Sequence, residues 1–167
     1  MSRAGVIEPL LSQSRRDRMA TGETSGPIHP VATRRSGHRY LFYVKHHGGG
    51  DAAKWLQELT PDDEFTIFDT ADFHDLSCER GWLYGVRNGL GGEVLALGTD
   101  RQQIAEFPHA RSNEPWHGYP VWPLKEEGPE NRKGEKFRPA PVVFKNMEKT
   151  GLITTQERMR LMKGNYA

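Results

Sequence analysis

The sequence predicts an α+β domain: a five-stranded, mainly antiparallel sheet with one packed helix, a flexible leader before it and a helical hairpin after it. Three observations carry this expectation. Short apolar stretches with strand period recur between His38 and Phe107. The links between the last of them are too short for a parallel crossover, so they demand antiparallel pairing. Beyond Pro141 the pattern changes to helical spacing with start and stop signals.

Residues 1–37 read as a flexible basic leader. Arg, Ser, Thr, Gly and Pro dominate there, and such a stretch buries too little apolar surface to offset its ordering entropy. The core domain, 38–124, opens with a strand over Arg39–Lys45, in which Tyr40, Phe42 and Val44 share one face and Leu41 and Tyr43 the other. Gly48–Gly50 break the chain, and Asp51 caps a helix reaching Leu59, with Ala52, Trp55, Leu56 and Leu59 on one stripe. Thr60-Pro61-Asp62-Asp63 ends that helix. A second strand over Glu64–Asp69 points Phe65 and Ile67 inward, and a polar loop runs from Thr70 to Arg80. Trp82, Tyr84 and Val86 alternate in a third strand, Val94–Leu97 form a fourth and Gln103–Phe107 a fifth, separated by turn residues such as Asn88-Gly89.

After Phe107 the chain turns extended and irregular, with Pro108, Pro115, Pro120 and Pro123 among Trp116, Tyr119 and Trp122. Residues 125–138 read as a solvated linker. In the last segment, 139–167, Pro141 suits a first helical turn, Gly151 a helix stop, and Thr154-Thr-Gln-Glu157 a capping box for a second helix ending at Gly164. Met147–Gly164, with Gly-Leu-Ile-Thr between two small helices, resembles the short C-terminal domain of many bacterial proteins. The resemblance implies an oligomerisation or docking element.

Composition excludes several classes. No apolar run approaches the roughly 18 residues of a membrane helix, and no secretory signal is evident. Hydrophobic residues make up 35%, below the roughly 45–50% of an ordinary domain, although that reference counts Gly and omits Tyr. Part of the chain is therefore expected outside a packed core. The single cysteine, Cys78, permits neither an internal disulfide nor a multi-cysteine zinc site. A soluble, cytoplasmic protein without a cofactor is the expectation. The net charge of +1 conceals a pattern: residues 1–39 carry seven Arg against three acids, 40–124 six bases against thirteen acids, and 125–167 ten bases against six acids. Basic ends of this kind fold back on the acidic body, stay solvated or touch phosphates.

The densest chemistry lies in His109–Pro120. His109 and His117 offer an acid and a base with pKa near neutrality, Arg111 a cation for a phosphate, and Trp116 and Tyr119 platforms for an unpaired base. The structural alternative is that Trp116, Tyr119 and Trp122 cover a sheet edge while both histidines bond backbone. Lys45-His46-His47-Gly48-Gly-Gly50 would let backbone N–H groups approach an anion. No Walker pattern follows, however, and Asp51 would repel a phosphate, so a plain turn is favoured. Asp69, Asp72, His74 and Asp75 could together hold a divalent metal, but Asp-rich loops commonly cap themselves. Gln102-Gln-Ile-Ala-Glu-Phe107 resembles the peptide by which bacterial proteins dock on the DNA sliding clamp, with Ala105 where that motif has Leu; the resemblance implies contacts by Gln102 and Phe107. A strand over the same residues competes with it.

No dinucleotide fingerprint, kinase set or serine elbow appears. The leading expectation is a small bacterial-type protein acting by macromolecular binding, as a regulatory or growth-inhibitory, toxin-like effector. It would use Trp116, Tyr119, Trp122 and the hairpin, with a protein partner favoured over nucleic acid and no membrane contact. The alternatives are a metal-independent ribonuclease with His109, His117 and Arg111 in the site, and a clamp-docking inhibitor.

Overall fold

A computed structural model describes residues 26–48, 53–123 and 139–164. The expected linker, and the expected leader up to residue 25, lie outside the described residues. The rest of that leader does not stand apart: Thr33 is buried, and the His29 ring stacks on Phe65 at 3.7 Å.

The first helix, α1, spans Pro61–Phe73, where the sequence pattern predicts a strand over 64–69. Its cause is local. Thr60 accepts from the Asp63 backbone N–H while the Asp63 side chain accepts from that of Thr60, and Pro61 occupies the first turn, where a missing N–H is harmless. The segment expected to end a helix thus starts one. Glu64, Ile67, Phe68, Ala71 and Asp72 then fall on one buried stripe at helical spacing, which the alternation of Phe65 and Ile67 disguises. Conversely, no helix follows Gly50 in the described part of 51–59. Trp55 pairs with Gly98 as an isolated bridge, the Trp55 N–H donates to the His46 carbonyl and the Leu56 N–H to Leu97, so the backbone groups are spent on distant partners.

The sheet has three antiparallel strands among the described residues, not five: β1 (Leu83–Gly85), β2 (Ile104–Phe107) and β3 (Tyr119–Val121), in that spatial order. Leu83 faces Phe107 across β1–β2, and Glu106 faces Tyr119 across β2–β3. Pro120 is tolerated because β3 is a terminal strand of this sheet, with one side free of ladder pairing. The expected strand at 39–45 shrinks to bridges, Tyr40 with Trp116 and Leu41 with Ile28, and then coils into a 3₁₀ turn over Val44–His46. Val94 makes only a bridge to Asn88, so 94–97 is not a strand either.

Two C-terminal helices, α2 (Pro141–Lys149) and α3 (Thr155–Met162), touch each other as expected. Gly151 at φ +76° ends the first turn region, and the Thr154 side chain accepts from the Glu157 N–H. Val143, Phe144, Met147 and Leu161 are fully buried in the same apolar cluster as Phe68 and Phe107. The Arg160 guanidinium donates to the Gln103 side chain at 2.8 Å, fixing α3 to the segment that enters β2. No helix among the described residues is long and apolar enough to cross a membrane.

Candidate functional site

The chain between Tyr43 and Gly48 separates two clusters of polar groups. On one side the 3₁₀ turn ends in His46, whose Nδ1 lies 3.0 Å from the Ala53 carbonyl. A carbonyl only accepts, so Nδ1 carries the proton and Nε2 keeps its lone pair. Lys54 Nζ donates to the Lys45 carbonyl at 2.6 Å, and the Trp55 N–H donates to the His46 carbonyl at 3.0 Å. These contacts bring the two ends of the glycine-bearing loop together.

His117 arrives from the segment before β3. Gly118 sets its approach: a Cβ there would lie 2.2 Å from Phe107 Cδ1, so only glycine lets the chain lie flush on that ring. The Gly118 carbonyl accepts from Trp55 Nε1 at 3.0 Å. As a result the His46 and His117 rings lie 5.9 Å apart and only 14° from parallel. Tyr43 packs on both, 5.5 Å from His46 and 4.9 Å from His117, and Tyr119 lies 4.9 Å from His46. Burial pushes His46 down to about 4, with His117, Lys45 and Lys54 adding to that and the Ala53 bond opposing it. Burial likewise lowers His117, helped by Lys45 and opposed by Glu114. Both imidazoles are thus held below their ordinary pKa, His46 within electrostatic reach of the Lys45 and Lys54 ammonium groups and His117 within reach of Lys45.

On the other side His47 stacks on Phe42 at 3.9 Å and reaches α1. Its Nε2 lies 3.0 Å from Oε1 of Glu64, which is fully buried, while the Tyr40 hydroxyl donates to Oε2 at 2.9 Å. The His47–Glu64 contact is close but off the ring N–H direction, so neither atom has an aligned hydrogen bond. Burial raises the Glu64 carboxyl, against the pull of His47 and Tyr40.

The residues singled out from sequence meet different fates. His109 is exposed and packs on Trp116 at 5.2 Å, whereas His117 packs on Tyr43 and His46. The two imidazoles belong to different clusters, and His46 replaces His109 as the neighbour of His117. Arg111 is exposed at the start of the 111–114 turn, where its carbonyl accepts from the Glu114 N–H. Trp116, 6% exposed, lies in the core against Phe68 and His38 and is no surface anchor. Tyr119 and Trp122 are half-buried, and the Tyr119 hydroxyl donates to buried Glu106 at 2.9 Å. Gln102 and Phe107 are buried: the Gln102 side chain accepts from the Asp100 N–H, and Phe107 packs on Phe68 within β2. A docking peptide would have to leave the core, so the sheet assignment replaces that reading.

The acidic loop is likewise occupied. Asp69 accepts from the Arg34 backbone and guanidinium, Asp72 from Ser36 N–H and Oγ, and Asp75 pairs with Arg35. Among the described residues no group of three or more His, Cys, Asp or Glu is placed to hold a metal ion. Sequence pattern alone gives no role to His46, Tyr43, Lys54 or Glu64. The only signal is Lys45-His46-His47 before the glycines, and its partners come from distant parts of the chain.

Family models, curated proteins and solved structures yield no match to this chain.

Proposed function

We propose that the protein acts by macromolecular binding and that its ligand is single-stranded RNA, held at the niche between the Tyr43–Gly48 segment and β3. The observation that carries this reading is the His46–His117 pair, stacked at 5.9 Å beside Lys45 and Lys54. Ammonium groups neutralise phosphates and release counterions. The half-buried Tyr43 and Tyr119 rings beside the histidines would stack an unpaired base, because every base offers a π-face. In this reading a regulatory or growth-inhibitory effect follows from RNA capture.

The test is fluorescence anisotropy of a labelled single-stranded RNA across a salt series. Lys45→Ala and Lys54→Ala should each weaken binding and reduce the salt slope by about one. No binding at low salt, or an unchanged slope in both variants, would refute the proposal.

A second reading, a protein-binding hairpin, draws on Val142 and Met159, which are 50% and 47% exposed on α2 and α3. Met159 borders an open groove with Thr155, Gln156, Arg160 and Lys163. Co-purification of a defined protein that is lost on Met159→Glu, with RNA binding unaltered, would favour it. Stability should change by no more than about 0.5 kcal/mol, as for surface positions generally.

A further inference from the structure

We propose that the niche cleaves the RNA it binds, by transesterification, with His46 as general base and His117 as general acid; this rests on the RNA-binding reading above. The geometry assigns the roles. His46 is held with its proton on Nδ1 by the Ala53 carbonyl, so Nε2 is the lone pair available to accept a proton. His117, more exposed than His46, lies in the adjacent, nearly parallel ring. Lys45 and Lys54 add positive charge around His46, and Lys45 around His117, the sign that a phosphorus centre gaining negative charge calls for.

The step balances without a further reactant. His46 Nε2 takes the proton of a ribose 2′-hydroxyl, the 2′-oxygen forms a bond to phosphorus, and the bond from phosphorus to the 5′-oxygen breaks. Protonated His117 delivers its proton to that leaving oxygen. The products are a 2′,3′-cyclic phosphate and a 5′-hydroxyl end, so the substrate class is RNA and not DNA.

The pH dependence follows from the same groups. His46, faced by His117, Tyr43, Tyr119, Lys45 and Lys54, must be unprotonated, so the rate rises as pH passes about 4. His117, faced by His46, Tyr43, Lys45 and Glu114, must be protonated, so the rate falls as pH rises through a pKa below 6.5. A bell with its maximum on the acid side of neutrality is expected.

The decisive experiment incubates the full-length chain with a labelled RNA and with the same sequence carrying 2′-O-methyl groups, in a buffer containing chelator. RNA should yield cyclic-phosphate ends, while the 2′-O-methyl strand is bound and stays intact. His117→Ala should slow cleavage by about 10²–10⁴-fold at saturating chain, a loss in the catalytic step beyond whatever change in RNA affinity anisotropy records for the same variant. His46→Asn, which can still donate to the Ala53 carbonyl, should do the same; the pH–rate profile of the unaltered chain tests the assignment even if that variant misfolds. RNA captured but left intact overturns cleavage and spares the binding reading. No capture overturns both. Cleavage that is flat from pH 4 to 7, or unaffected by His117→Ala, overturns the acid–base assignment.

Discussion

Trp116→Ala should lower folding stability by about 3–5 kcal/mol, the range for deleting a large buried aromatic ring. The indole is 6% exposed and touches three rings, with centroids 4.8 Å from His38, 5.6 Å from Phe68 and 5.2 Å from His109. Phe68 in turn packs on Tyr40 and Phe107, so the ring closes a cluster that joins α1, β2 and the 39–42 segment. Its backbone is equally committed: the Trp116 N–H donates to the Arg39 carbonyl, and the Leu41 N–H donates to that of Trp116. Domains of this kind are stable by only about 5–15 kcal/mol, so the loss is a large fraction of the whole. Urea denaturation at neutral pH measures it. A surface tryptophan would give a change within about 0.5 kcal/mol, and that result would contradict a core position for this ring.

How far the sequence discloses this fold depends on where each residue finds its partner. Elements specified by neighbours in the chain are legible: Pro141, Gly151 and Thr154 mark the hairpin, and the Leu83–Gly85 and Ile104–Phe107 strands follow from alternation. Thr60-Pro61-Asp62-Asp63 is legible too once its order is weighed, since threonine, then proline, then acids is a helix start. Taking it as a helix end displaces two elements at once, because a strand is then required after it. Trp55 is different. Its helical stripe with Leu56 and Leu59 is real as a pattern, yet its indole N–H reaches Gly118 and its backbone pairs with His46 and Gly98. Such long-range pairing overrides local propensity. The candidate site is illegible for the same reason: His46 and His117 are 71 residues apart in sequence, and the contacts that bring them together, Gly118 against Phe107 and His46 against Ala53, are set by the fold.

Glu64 gives the second large effect, and its sign depends on pH. Burial raises the folded-state pKa of this carboxyl above its ordinary value near 4.5, with His47 and Tyr40 only partly offsetting the cost. The stability it contributes is therefore fully present below about pH 4.5 and is lost as pH rises through the folded-state pKa. Glu64→Gln keeps the shape and an acceptor for the Tyr40 hydroxyl but cannot ionise. The stability of the unaltered chain minus that of Glu64→Gln should fall as pH rises from 4.5 to 8, and taking the difference cancels the titration of Asp75 and Glu148, which do not couple to Glu64. Glu64→Ala should be worse at every pH, by about 1–3 kcal/mol, because the buried Tyr40 hydroxyl would lose its acceptor. Denaturant titrations at four or five pH values decide the matter. If the difference between the unaltered chain and Glu64→Gln instead grows with pH, ionised Glu64 is a net stabilising partner of His47, and pairing outweighs burial at this carboxylate.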